Sequence, residues 1–256
     1  DVTELVGEGA LVVPAFPGAT VTGFWRVEAS AAAGPGVAGG RVIDDLTNLM
    51  DLAPTFLEVG GAKLPAGMNG KSLWPLLSSK DAGQIDPARD FVVTGRERHV
   101  DTARIGNATY PQRALRTKDF LYIRNFAPDR YPLGDPKNVT KDSQPSAQAL
   151  ENSTFVAFAD MDAGPTKAWL VAHRNDPEWK WHYDYAFGKR PAEELYDLTK
   201  DPEQISNLAG NPEYAKALKA QGDRLMKILT EAGDPRVVDR ECRFDRPPFS
   251  DLEKGR

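Results

Sequence analysis

What is scarce in this chain of 256 residues narrows its chemistry first. There is one cysteine, Cys242, so no disulfide can form within the chain, and cysteine usage leaves either redox compartment open. The three histidines, His99, His173 and His182, are too scattered to suggest a zinc site. Nothing approaches the roughly 18 consecutive apolar residues of a membrane span. The opening residues lack a basic segment followed by an apolar one, so no signal peptide is in view. Positive charge is in deficit: 32 Lys and Arg against 37 Asp and Glu leave a formal charge of -5, without the basic footprint that nucleic-acid binding requires. A G-x-S-x-G elbow, an H-E-x-x-H helix, a Walker glycine loop and EF-hand spacing are all missing. The initiator methionine is missing too, as expected of a processed chain or a fragment.

What is present reads as globular. Hydrophobic residues at 41% and charged residues at 27% suit a packed core, and 22 glycines with 20 prolines favour a loop-rich α/β or α+β chain over a helical bundle. Residues 1–40 carry one short strand pattern, "LVVPAF", and then "EASAAAGPGVAGG", which has no usable period and reads as an irregular arm. In "VIDDLTNLMDLAPTFLEVGG", Leu49, Leu52, Ala53, Phe56 and Leu57 fall at helical spacing, with Asp51 as the expected N-cap and Pro54 in the first turn. "DFVVTG" at 90–95 reads as a buried strand. "ALRTKDFLYIRNF" at 114–126 alternates on both sides of Lys118-Asp119, which predicts a hairpin. Residues 128–153 lack a period and read as a long surface excursion. "EELYDL" at 193–198 is a further strand, Asp201-Pro-Glu-Gln204 a capped helical turn, and Asn211-Pro212 opens a long helix that runs to about Glu231 before Gly233.

Two stretches invite a ligand. In "EWKWHYDYAFG" at 178–188 the rings of Trp179, Trp181, Tyr183, Tyr185 and Phe187 share one parity, so a strand would line them on one face, either as packing or as a sugar-stacking surface. "GRERHVDTAR" at 95–104 sets Arg96, Arg98, Arg104 and His99 behind a predicted strand, with Arg113 and Arg116 shortly after. Guanidinium forks suit a sulfate, phosphate or carboxylate, and open α/β sheets bind ligands at the carboxyl ends of strands. Glu97 and Asp101 are the natural partners if the cluster is instead a salt-bridged surface. Cys242, between Glu241 and Arg243, has no base nearby in sequence.

The chain resembles the C-terminal half of a sulfatase, nearest to the heparan N-sulfatase (sulfamidase)-like branch. The stretches that carry the likeness are "VIDDLTNLMDLAPTFLEVGG", "MNGKSLWPLL", "VVTGRERHVDTARIGNATYPQRALRTKDFLYIRNFAPDRYPLGDP" and "EELYDLTKDPEQISNLAGNPEY", covering about Arg41 to Asp239. The resemblance implies the C-terminal portion of an alkaline-phosphatase-like α/β fold. Residues 1–40 would be an irregular or aberrant arm and 41–94 the edge of the large mixed-sheet domain. Residues 95–256 would form a small α+β subdomain with an antiparallel sheet and a long helix.

It also implies hydrolysis of a sulfate ester or N-sulfate of a saccharide by the complete protein, and carries His99 over as a substrate-pocket residue with Arg98, Arg96 and Arg113 near it. Family members use calcium and a formylglycine made within a (Cys/Ser)-x-Pro-x-Arg motif. This chain lacks that motif, so neither is expected on it, and alone it is expected to be inactive. The arginine-tryptophan-proline strand of the family is also replaced, by "VTGFWRVEASAAAGPG", as a reading-frame change within residues 1–38 would produce. Implied partners are a sulfated saccharide or other small anion, and an N-terminal sulfatase half or a second copy. The resemblance implies a periplasmic, secreted or lysosomal setting, with the bacterial cytoplasm left open. The alternative reading is a non-catalytic sulfatase-like module that binds an anionic glycan or a partner protein.

Overall fold

A computed structural model describes residues 11–12 and 31–247; most of the arm, including residues 21–30 of the stretch that stands where the resemblance implies a strand, lies outside them. The described residues fall into two compact units, one built mainly on 31–92 with 116–118, the other on 93–115 and 119–247.

In the first unit, β1 (Leu11–Val12) pairs antiparallel with β2 (Ala31–Ala32). Helix α1 (Leu52–Val59) is entered through a 3-10 turn, Leu49–Asp51, and this moves the capping bonds. Asp51 stands at the N-cap of α1 as expected, without a side-chain cap bond there, and the capping bonds lie at the start of the turn: the Asn48 side chain accepts from the Met50 amide at 3.2 Å, while Asp51 at the third position reaches back to the Asn48 amide at 3.1 Å. The expected capping residue thus closes a capping box from its other end. Asp51 also pairs with Arg89 at 2.9 Å in a buried bridge, and Thr55 Oγ1 accepts from the Leu73 amide at 2.8 Å, just before α2 (Trp74–Ser78). The inward face of α1 is therefore polar and hydrogen-bonded, and the apolar side chains of Leu49 and Phe56 are exposed, the reverse of the predicted amphipathic packing.

The second unit carries most of a four-stranded sheet, order β3-β4-β5-β6, from β3 (Phe91–Arg96), β4 (Gln112–Thr117), β5 (Phe120–Asn125) and β6 (Glu193–Asp197). The two-residue connection at Lys118-Asp119 is the predicted hairpin. β5 and β6 run antiparallel, Phe120 facing Asp197 and Arg124 facing Glu193. β3 is half-buried rather than buried, as befits an edge strand. Ala114, Ile123 and Tyr196 pack together on the sheet.

Helix α6 (Ala215–Glu231) buries Leu225 and Leu229, and ends at Gly233, whose φ of +67° suits glycine. Gly222 lets α6 approach β5: a Cβ there would sit 3.1 Å from the Tyr122 hydroxyl. A short helix, α7 (Pro235–Val238), follows.

The helices α3 (Ala147–Asn152), α4 (Pro165–Ala172) and α5 (Lys180–Phe187) enclose a separate core of Leu133, Val139, Leu150, Phe158, Val171 and Phe187. Three readings are corrected here. Residues 128–153 are not a surface excursion, because Leu133, Val139 and Leu150 are buried in that core. Residues 180–187 are a helix, not a strand. Shared parity does not distinguish the two, since every fourth residue also has it. The rings split into two helical rows, with Tyr183 against Phe187 at 5.2 Å and Trp181 stacked on Tyr185 at 5.1 Å. Asp201 to Gln204 is a turn rather than a helix, with the Asp201 carboxylate accepting from the Ser206 amide at 2.8 Å.

Candidate functional site

The loop that leaves β3 threads its charged residues among three other stretches of the second unit. Arg104 is buried, pairs with Asp160 at 2.7 Å, and donates to the carbonyls of Tyr131 at 2.9 Å and Pro132 at 2.8 Å. Arg96 donates to the same Pro132 carbonyl at 2.5 Å. Both guanidiniums lie over the Tyr110 ring, at 5.0 and 5.4 Å, and the buried Arg96 Nε and Arg104 Nη1 have no hydrogen-bond partner. Burial holds Arg96 below the usual arginine range, with the Asp160 charge opposing that shift, and burial pushes the Tyr110 hydroxyl up to about 12. One guanidinium, that of Arg104, is thus paired with Asp160, and the other, that of Arg96, feels the same carboxylate from a distance, both against a neutral aromatic plate.

His99 stands above this cluster. Its side chain is 62% exposed, with Nδ1 3.9 Å from Asp160 Oδ1. Arg98, half-buried, donates twice to the Asn107 carbonyl, at 2.6 and 3.1 Å. Arg113 is turned to a different set of acids: it binds Asp234 at 2.6 and 3.0 Å and Glu97 at 2.7 Å. Glu97 also pairs with Arg236, which reaches Asp245 at 2.5 Å, and Thr109 donates to Asp245 at 2.6 Å. Around Arg113 the loop is thus an ion-paired lattice, and Arg96, half-buried, and Arg104, buried, lie beside it. Glu97 serves the lattice as anticipated. Asp160 and Tyr110, which organise the other half, were not anticipated, since Asp160 lies 56 residues beyond Arg104 and no local pattern marks it.

A second feature is an open hollow where β5 and β6 meet the approach to α6, lined by Phe120, Asp197, Lys200 and Tyr214 among others. The Tyr214 hydroxyl donates to Asp197 at 2.9 Å and accepts from Lys200 at 2.7 Å. Thr199 donates to the other Asp197 oxygen at 2.6 Å, and this bond heads the causes that hold the Asp197 carboxyl down to about 2.

No protein-family profile matches the chain. An ulvan-active sulfatase of Formosa agariphila is 28% identical over 206 residues, 74% of this chain and 32% of that protein. Human N-sulphoglucosamine sulphohydrolase is 27% identical over 207 residues, 77% of this chain and 35% of the enzyme. The chain is a distant homologue of the alkaline-phosphatase-like sulfatases. It spans about a third of the length of these curated relatives, and homology at this level does not single out the sulfamidase branch. Since homologues share their fold, the sheet and helices above are part of the alkaline-phosphatase-like sulfatase fold. A solved 2-O GAG sulfatase overlaps with a TM-score of 0.45 at 20% identity, over 85% of this chain and 35% of that one.

Calcium and formylglycine, implied by the sulfatase likeness, have no fitting place among the described residues. No group of three or more His, Cys, Asp or Glu there is arranged to hold a metal ion, and Cys242 is buried in "ECRFDRP". Among the described residues no helix is long and apolar enough to cross a membrane.

Proposed function

We propose that this chain is the C-terminal portion of a sulfatase that hydrolyses a sulfate ester or N-sulfate of a saccharide, and that it contributes one wall of the substrate cleft. The observation that carries the reading is the exposed imidazole of His99 beside Asp160 and the guanidiniums of Arg96 and Arg104, each with a buried nitrogen, in a chain homologous to sulfatases over 74% of its length. His99 and Arg98 face the sulfated sugar, and Arg96 adds positive potential from beneath. Arg113 contributes by holding the strand end through Glu97 and Asp234. A sulfate group offers several acceptor oxygens, which an imidazolium edge and guanidinium forks can meet together. No catalytic step is assigned to this chain, and an aryl sulfate assay on it alone is expected to show no turnover. The rest of the sulfatase, or a second copy of the chain, completes the cleft.

The test is His99→Ala in the complete protein. Turnover of a sulfated saccharide is expected to fall by roughly 10²-fold or more, with stability within about 0.5 kcal/mol of the parent. Equal loss of activity and stability would contradict a pocket role.

The second reading, a non-catalytic glycan-binding module, has its own support: Trp169 and Trp181 on α4 and α5 are each 49% exposed and held by ring contacts to His173 and Tyr185. Retention of a polysaccharide that Trp181→Ala abolishes and His99→Ala leaves intact would favour it.

A further inference from the structure

Beneath His99 the carboxylate of Asp160 is almost fully enclosed, and it makes more contacts than one ion pair needs. Oδ2 meets Arg104 at 2.7 Å, Oδ1 accepts from the Val100 amide at 3.0 Å, and Oδ1 is the atom 3.9 Å from the His99 ring. It therefore grips the backbone at the residue next to His99. That residue sits in a connection of irregular backbone, with its side chain more than half exposed, so its direction is set largely by the backbone that carries it.

Asp160 is in turn fixed from behind. It lies in a turn in which Phe158 has a φ of 46°, a left-handed conformation that a bulky residue adopts only when its surroundings impose it. The constraint comes from α4. Lys167 has no exposed surface, and its Nζ donates to the carbonyls of Thr154, Phe158 and Met161 at 3.1, 3.2 and 2.8 Å. An ammonium has three donors, and all three are used on carbonyls that bracket Asp160. Burying such a group without partners would be costly, so its retention at full burial, with two donors on the turn at 158–161 and the third on the segment leading into it, marks a clamp. The Asp160 amide adds a bond to the Leu133 carbonyl at 3.0 Å.

We propose that Asp160, locked in place from α4 by Lys167, is a positioning residue that fixes the backbone at Val100 and so orients His99 toward the ligand. The ligand half of this statement rests on the sulfatase reading of His99. The positioning half does not.

With three histidines in the chain, each imidazole can be followed by its own ¹H–¹³C correlation. Asp160→Asn keeps the size of the side chain and removes its charge. It is expected to move the His99 signal while those of His173 and His182 stay in place, and to speed exchange of the Val100 amide by at least tenfold. Lys167→Met, which touches no atom of the 99–100 backbone, is expected to move the His99 signal in the same direction. Leu225→Ala, a cavity in α6, controls for general loosening and is expected to move none of the three. An unmoved His99 signal with unchanged Val100 exchange in Asp160→Asn would overturn the proposal. Should the variants not fold, the unaltered chain decides: a Val100 amide that exchanges at its unfolded-chain rate refutes the anchor, and strong protection supports it. Inorganic sulfate titrated into the unaltered chain separates the two readings, because a His99 signal that ignores sulfate removes the ligand and leaves the positioning intact.

Discussion

At the scale of single residues, one position shows how little freedom the site loop has, and another, on β6, carries a titration. Gly134 lies at φ +93°, and a Cβ there would come within 2.9 Å of the Ala159 amide nitrogen and 3.0 Å of the Ala103 carbonyl oxygen, both backbone atoms that cannot swing aside. Gly134→Ala combines a left-handed penalty with a clash at the point where the 103, 134 and 159 stretches meet. It is expected to cost roughly 1–3 kcal/mol in denaturant melts; a variant as stable as the parent would refute that junction. Asp197 offers a titration. Its carboxyl is held down to about 2, first by the Thr199 hydroxyl, with further bonds from Tyr214 and Lys200. A carboxyl whose folded pKa lies below its unfolded value adds stability above the unfolded pKa and loses it as pH falls through the folded one. The Asp197 contribution is therefore complete above about pH 4 and disappears toward pH 2. Thr199→Val is expected to raise the Asp197 carboxyl pKa in a ¹³C titration, to cost about 1 kcal/mol near neutral pH, and to shrink the acid-sensitive part of the stability.

At the scale of elements, α5 is the informative case. A strand would give its five rings one common face and similar roles, whereas the helix separates them: Phe187 is buried against Phe158 at 4.3 Å, and Trp181 looks outward. Phe187→Ala is accordingly expected to cost roughly 3–5 kcal/mol, and Trp181→Ala no more than about 1.5 kcal/mol, in urea unfolding. Comparable losses would restore the strand reading. The same contrast explains what could be read in advance. The hairpin over β4 and β5 was legible because alternation and a two-residue turn are local signals, and α6 because a capped, periodic stretch ending at glycine is another. The site was half legible. The sequence marked Arg96, Arg98 and His99 as neighbours, but the carboxylate that pairs with Arg104 and holds the backbone beside His99, Asp160, and the lysine behind it arrive through chain closure over some 60 residues, which leaves no periodic trace. Arg113 was placed in the same neighbourhood by proximity in sequence, yet its carboxylates include Asp234, 121 residues away.

At the scale of the molecule, the first unit is assembled in an unusual way, and this has a consequence in solution. Its internal contacts include many charged side chains on backbone groups: Arg41 on the carbonyls of Leu76 and Leu77, Asp45 on the amides of Ile85 and Asp86, Arg89 on Lys71 and Ser72. The apolar surface that would ordinarily sit inside is instead turned out, with Leu49, Met50, Phe56 and Val59 exposed by 57%, 50%, 58% and 58% along α1 and the turn that leads into it. Each square ångström of such surface left in water costs about 25 cal/mol, so a contiguous face of this kind favours any arrangement that covers it. A second copy of the chain would be one such cover. Sedimentation equilibrium is expected to show an apparent mass that rises with concentration, and Phe56→Lys combined with Val59→Lys to return it toward that of a single chain, since two charges on this face would have to be desolvated for copies to meet. Because the packed groups beneath α1, Pro54 and Thr55, are untouched by those substitutions, the melting temperature is expected to hold within a few degrees. A mass independent of concentration in the unaltered chain would show that this face remains in water at its full cost.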